Sequence, residues 1–383
     1  MANYLQLGHE SWNLVDDSGI GTFAGVVLSP VNDSPEEIVT RLSKVRETQP
    51  GLDVILDSQL YNPATQRGQL PRWGYYSADF ETADRSDPQW WKRRIPEVVG
   101  EAQRVGATTI CTPAPIEYRG TDDYFRFVVD LGDDAKSVAA AAGLDCALTA
   151  IVPLDSLQNA RRAMELASIL SSSACERIYL NFLAPDRVQQ REPFQDQAAL
   201  ATAVHLIRLL SADQRVHVAC TSHDVVLWLG AGAHDVSTGK YMNVRRFSPS
   251  RWMDEQAGGR NNSYWCDDRL LTLIRDQEVL RLDREGWFAD YDFADNPASQ
   301  AILDNLRAQT GDPWLRLSWI QYMRWFANTA SSVTSADEAW AVLQNSVSAW
   351  RETQRLRILF VDPFNDGNHA VAWANAFSEG MGR

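Results

Sequence analysis

Short apolar runs alternate with longer stretches of helical periodicity through the first 247 residues of the chain. Residues 22–29 (TFAGVVLS), 52–56 (LDVIL), 108–112, 146–152, 177–183 (RIYLNFL), 217–220 and 233–236 read as seven strands. Each is short and almost continuously apolar, the mark of strands buried on both faces in a parallel sheet. The stretches 35–48, 89–105, 122–142, 156–171 and 197–210 read as helices. Ser34 and Pro35 form an N-cap and first helical position, Pro96 predicts a kink, and Gly143 predicts a stop. This strand–helix alternation predicts an α/β fold, a TIM (β/α)8-like barrel in preference to an open doubly wound sheet. No Gly-x-Gly-x-x-Gly follows the first strand, which argues against a dinucleotide-binding sheet.

After Phe247 the texture changes. Residues 249–264 are polar, and 267–283, 299–308, 313–330 and 337–355 carry helical patterns. The apolar run 357–361 (RILFV) is the candidate eighth strand, followed by a short helix near 369–377. The expected organisation is a barrel core over 1–247, a mainly helical subdomain or insertion over 248–355, and a last strand and helix over 356–383 that close the barrel. A short N-terminal strand precedes His9 and Glu10. The excursion over 58–87, rich in Tyr, Gln, Gly and Pro, predicts an ordered loop across one end of the fold.

Length and charge narrow the classes. The 383 residues suit one barrel with an added subdomain. Lys and Arg number 36 against 50 Asp and Glu, a net charge of −14. Such a surface repels polyanions, so nucleic acid is expected only through a local basic patch or a partner subunit. The five cysteines lack any Cys-x-x-Cys pairing and read as buried, reduced thiols. No secretion signal or membrane-spanning run is evident, so a cytoplasmic protein without membrane contact is expected. No cofactor motif is present.

Polar residues at strand ends carry the candidate chemistry, because barrel sites gather at the carboxyl ends of strands. Asp57, with Ser58, ends the run DVILD and suits a ligand edge rich in N–H groups; capping the next element is the bland alternative. Asp235, beside His234, reads as a strand-end carboxylate able to attack an electrophilic sugar carbon, or as a loop Asp binding backbone amides or Arg245. Thr238, Gly239, Lys240, Arg245 and Arg246 read as a phosphate-holding loop or as a solvated basic loop. Asn181 is a polar residue inside an apolar strand, and His223 is a near-neutral base or part of a helix cap. His9, Glu10 and His234 have no spacing that supports a metal site, and none is expected. Trp73, Tyr75 and Tyr76 suit either core packing or stacking on a flat base.

Two segments resemble the tRNA-guanine (queuine or archaeosine) transglycosylase superfamily. Asp57 and Ser58 are similar to its Asp-Ser-Gly motif. The run 223–242 (HDVVLWLGAGAHDVSTGKYM) is similar to its Gly-x-x-x-x-Asp segment. The resemblance implies a barrel that exchanges guanine for a 7-deazaguanine at a glycosidic carbon, with Asp235 the nucleophile and Asp57 the base-recognition residue. Gln59 stands where the family has Gly, and the family's clustered cysteines are missing. The implied protein is therefore a divergent transferase acting on a guanine-type base, within a nucleic-acid modification or antiviral defence system, rather than a standard tRNA enzyme. Two other roles fit the same residues: a non-catalytic barrel subunit of such a complex, or a homo-oligomer, and a barrel enzyme acting on a phosphorylated metabolite through the 238–246 loop.

Overall fold

A computed structural model describes residues 1–76, 80–184, 191–252, 262–309, 311–362 and 364–383. Eight parallel strands close into a barrel in strict chain order. They are β1 (Ala2–Gln6), β2 (Gly25–Leu28), β3 (Asp53–Asp57), β4 (Thr109–Cys111), β5 (Asp145–Pro153), β6 (Arg177–Leu183), β7 (Arg215–Val218) and β8 (Asp235–Thr238). The connecting helices are α1 (Trp12–Val15), α2 (Pro35–Thr48), α3 (Pro88–Val105), α4 (Asp122–Ala141), α5 (Ala160–Leu170), α6 (Gln197–Leu210) and α7 (Val225–Gly230). The expected cap forms at α2: Ser34 Oγ accepts from Glu37 N at 3.3 Å while the Glu37 carboxylate accepts from Ser34 N at 2.8 Å. Helix α3 runs through Pro96, which is solvent-exposed. The carbonyl that a proline leaves without an N–H donor can turn to water there, so the expected kink does not interrupt the helix.

Closure differs from the expectation. The last partner of β8 is β1, with Ala2 opposite Asp235 and Leu5 opposite Thr238. The stretch 357–361 is not a strand, and Leu359 and Val361 are exposed. It carries apolar residues on a surface loop, a pattern that periodicity alone cannot separate from a short strand. The helical region therefore follows a barrel that is already complete. It opens with a hairpin of β9 (Trp265–Asp267) and β10 (Thr272–Ile274), where a helix over 267–283 is expected from sequence. Asp267 turns the chain by accepting from the backbone of Arg269 and Leu270, and Gln321 clamps Cys266 through both its N–H and its carbonyl. Then come α8 (Asp276–Arg284), α9 (Pro297–Ala308), α10 (Leu315–Ser332), α11 (Ala336–Arg355) and α12 (Asn368–Met381). Helix α10 packs on β1 and β8, α11 on α7, and α12 on α6, so the C-terminal helices complete the outer ring around the closure seam.

Side chains alternate inward and outward along each strand. At the amino end of the barrel the inward layer is charged. Asp235 is fully buried and takes two bonds from Arg215, at 2.6 and 2.8 Å, with Arg177 at 3.8 Å. Arg177 also reaches Asp53 at 4.0 Å, and Tyr4 donates to Asp53 at 2.8 Å. The next layer is polar and neutral: the Tyr179 and Ser237 hydroxyls both donate to Gln6 Oε1, at 3.1 and 3.4 Å. Side chains from β1, β6 and β8 thus meet in the middle and fill the barrel, as a packed core rather than a channel.

The Asp235 pair predicts a stability effect without a functional one. Asp235→Asn leaves Arg215 and Arg177 facing a neutral group in the amino-end layer, and should lower unfolding free energy by about 2–4 kcal/mol. Urea denaturation checks this; an unchanged midpoint would show that the pair contributes nothing.

Candidate functional site at the carboxyl end of the barrel

The loop after β8 shapes the carboxyl face. Residues 239–252 run from the end of β8 across the barrel mouth as a strap. Gly239 starts it with no room for a side chain: an added Cβ would stand 2.6 Å from Gln6 O and 2.4 Å from Val244 Cγ2. Phe247 bridges to Leu183 at the end of β6. Phe247 and Trp252 then pack on the Tyr61 ring at 5.1 and 5.0 Å. Beyond β3 the strap is pinned by bonds to its carbonyls from Asn62, at 3.3 Å to Trp252 O, and Arg67, at 2.8 Å to Ser250 O. Arg251 turns inward and donates to Ser29 at 2.9 Å.

Beneath the strap lies Asp57. Its Oδ1 accepts from Gln59 N at 3.0 Å and from the Tyr61 hydroxyl at 2.9 Å. Burial raises its carboxyl pKa to about 6, against the opposing pull of these bonds and of the nearby Arg251 charge. Asn181 points into the same barrel by the alternation of β6; it is 1% exposed, and neither amide atom has a partner among the described residues. Ser58 is buried and its carbonyl accepts from Tyr75 at 2.9 Å. Trp73, Tyr75 and Tyr76 all bond loop carbonyls and hold the excursion after β3 in place, so they are not a stacking platform.

Beside the strap a cavity of about 510 Å³ opens between the β8 loop, the hairpin and α10. Its volume falls in the range usual for small-molecule sites. His9, Arg191, Lys240, Arg245, Tyr264 and Trp319 are among its walls. Lys240 is only 2% exposed. It donates to Glu10 O at 2.7 Å and sits over the Trp319 and Tyr241 rings at 4.5 and 4.8 Å. Arg245 is 5% exposed, donates to Gly239 O at 2.9 Å and Lys240 O at 2.8 Å, and stacks 3.3 Å from the Tyr322 ring centre. Burial pushes the pKa of both cations down. Neither has a carboxylate within 4.0 Å among the described residues. Arg191, in contrast, is paired with Asp362 and stacked on Tyr264.

His223 lies behind this wall, fully buried. Its Nδ1 meets Glu192 Oε1 at 2.9 Å and its Nε2 meets Cys266 Sγ at 3.3 Å. Burial lowers the histidine pKa and raises that of Glu192 to about 7. Thr238 is structural: it donates to Thr221 O at 2.7 Å and shares a 2.8 Å bond with the Tyr322 hydroxyl, tying β8 to α10.

Asp235 and His234 are not part of this site. Strand β8 spans Asp235–Thr238, two residues later than the sequence suggests, so Asp235 opens its strand instead of closing it. All eight strands are parallel; the Asp235 carboxylate therefore lies at the opposite end of the barrel from Asp57, held by Arg215. Exposed His234 stands at that same end and accepts from Val216 N at 3.3 Å. A nucleophilic Asp235 facing a base held by Asp57 is excluded. His9 and Glu10, at the carboxyl face and 3.8 Å apart, cannot share a metal with His234. Sequence reasoning missed Glu192, Arg191, Arg251 and Cys266. Their only signal in the chain is polarity within loops or an isolated thiol, and the fold alone brings them to the mouth.

No protein-family model matches this chain, and no curated protein matches its sequence. Solved structures similar to it include an L-ribulose 3-epimerase at 15% identity, TM-score 0.35, covering 62% of this chain and 80% of that one. A type I 3-dehydroquinate dehydratase from Clostridium difficile matches at 7% identity, TM-score 0.39, covering 64% and 86%. A D-psicose 3-epimerase matches at 10% identity, TM-score 0.36, covering 62% and 84%. At these values the likenesses carry no argument about the reaction. The Asp235 geometry by itself overturns the transglycosylase resemblance, and the guanine-type partner falls with it. No described helix is long and apolar enough to cross a membrane.

Asp57 gives the mouth a pH signature. Its folded pKa of about 6 lies above the unfolded value of 3.8, so the folded state holds the extra proton between them. Stability from this group is therefore lost as pH rises from about 4 to about 6. The wild-type unfolding free energy from urea titration should fall relative to that of Asp57→Asn across that window, by about 2–3 kcal/mol in total, and run parallel above pH 7. A difference that stays flat with pH would show that Asp57 titrates normally.

Proposed function

We propose that this chain is a barrel enzyme whose substrate is a small anionic, phosphorylated metabolite seated in the cavity beside the strap. One observation carries the reading: Lys240 and Arg245, both buried, line the same cavity with no carboxylate partner among the described residues. A buried cation with no carboxylate in contact is expensive, and a bound anion relieves it. The position supports the same class of ligand, since barrel loops after the last strands frequently hold phosphate. In a chain of net charge −14 this local excess of positive charge singles out small anions over polyanions.

Asp57 lies beneath the strap and outside the cavity wall, so it acts as an acid–base group only on a substrate group that passes under the strap. A carboxyl pKa near 6 lets it hold or release a proton close to neutrality. Asn181, with its amide unbonded, is buried under the same strap and also lies outside the cavity wall. A second reading, a binding or assembly subunit without catalysis, draws on the strap itself, which leaves Asp57 only 4% exposed.

Binding separates charge recognition from generic sugar affinity. Inorganic phosphate and sugar phosphates should raise the melting temperature in a concentration-dependent way, and neutral sugars should not. Lys240→Met should weaken phosphate binding at least about tenfold, or about 1.4 kcal/mol, in calorimetry. Equal stabilisation by neutral sugars, or equal phosphate affinity in the variant, would remove the anion site.

A further inference from the structure

Behind the cavity wall three groups form a hydrogen-bonded line that the anion site does not use. Cys266 Sγ stands 3.3 Å from His223 Nε2, and His223 Nδ1 stands 2.9 Å from Glu192 Oε1. Thr272 Oγ1 donates to the same carboxylate oxygen at 3.3 Å and helps fix it. When Glu192 is ionised it holds the proton on Nδ1, which leaves Nε2 as the acceptor facing the thiol. This is the order of nucleophile, base and orienting group used in nucleophilic catalysis. Aromatic rings enclose the imidazole, Trp325 at 4.6 Å and Tyr322 at 5.8 Å between centres.

The line adjoins the cavity. Leu273, which lines the cavity, stands directly opposite Cys266 in the hairpin, where paired side chains share a face. Arg245 lines the cavity too, and stacks on Tyr322, the ring that contacts His223. Among the described residues the other four cysteines have no comparable base. Cys111 and Cys220 have no imidazole contact among the described residues, and Cys146 and Cys175 face each other at 3.8 Å.

We propose that Cys266, His223 and Glu192 form a reactive-thiol site directly behind the Leu273 wall of the cavity, whose target is a carbonyl carbon of the anion bound there once that wall gives way. The identity of the target rests on the anion reading above; the thiol site itself does not. In the step, the Sγ proton moves to His223 Nε2 and the sulfur pair forms an S–C bond. The carbonyl π pair moves to oxygen, which takes the proton back from Nε2. The net reaction is an addition, with no leaving group and no oxidant or reductant. Glu192 offsets the positive charge on the imidazolium while it exists.

Alkylation of the intact protein with iodoacetamide tests the thiol. There the S–C bond forms as iodide leaves, and the proton passes through His223 to solvent. Peptide mapping should show Cys266 modified at least about tenfold faster than the other four cysteines, and His223→Gln should slow it at least about tenfold at neutral pH. Glu192→Gln, which keeps a hydrogen-bond acceptor, should give a smaller loss and guards against misfolding in the histidine variant. Inorganic phosphate should protect Cys266 selectively. Fast, His223-dependent labelling that phosphate neither slows nor accompanies with a raised melting temperature would keep the thiol site and sink the anion reading. Phosphate stabilisation with Cys266 labelled no faster than the others, only as the whole fold opens, would sink the thiol site and leave the anion reading intact.

Discussion

The pairing of β8 with β1 governs everything above it, and the buried Asp235 carboxylate secures that seam from below. Asp235 opens β8 opposite Ala2 of β1 and His217 of β7, and its charge is met by Arg215 and Arg177. Buried carboxylates persist only when paired, so this layer fixes which end of the barrel is spent on structure. His217, between the Tyr4 and Tyr179 rings, belongs to the same layer; burial lowers its pKa to about 4 and keeps it neutral. The carboxyl end is left to carry the loops, and the longest consequence is the strap that leaves β8.

That strap does two opposite things with charge. It carries Arg251 inward over Asp57, where a serine bond and a nearby carboxylate settle it. It also leaves Lys240 and Arg245 on the flank, bonded only to backbone carbonyls and stacked on rings. Aromatic faces and carbonyl dipoles hold a cation in place without neutralising it. The C-terminal helices matter here because Trp319 and Tyr322 both come from α10. The region that sequence marks as an appendage therefore builds one wall of the cavity and, through the hairpin, supplies Cys266.

Much of the fold was legible in the chain, for a simple reason. Parallel strands buried on both faces are mostly apolar, and seven of the eight overlap an apolar run in the chain. The strand missed as a closing partner, Ala2–Gln6, carries Asn3 and Gln6 and so reads weakly, while the exposed run 357–361 imitates a strand in composition. The site was less legible. Asp57, Asn181, Lys240 and Arg245 stand at the carboxyl face, whereas Asp235 was misplaced by a two-residue error in where β8 begins. Because all strands run the same way, such a slip moves a side chain from one end of the barrel to the other.

The sequence by itself determined the alternation of strand and helix, the acidic surface, and which strand-end loops carry charged groups, because each follows from local pattern and composition. Only the tertiary structure decided which strands meet, which acid is tied up in an ion pair, and which cations have no carboxylate in contact among the described residues. Glu192, His223 and Cys266 are separated by 31 and 43 residues along the chain, and no local rule joins them. Their contact exists because closing the barrel brings the loop after β6, the end of β7 and the hairpin to one point, and burial there removes the water that would otherwise satisfy each group separately.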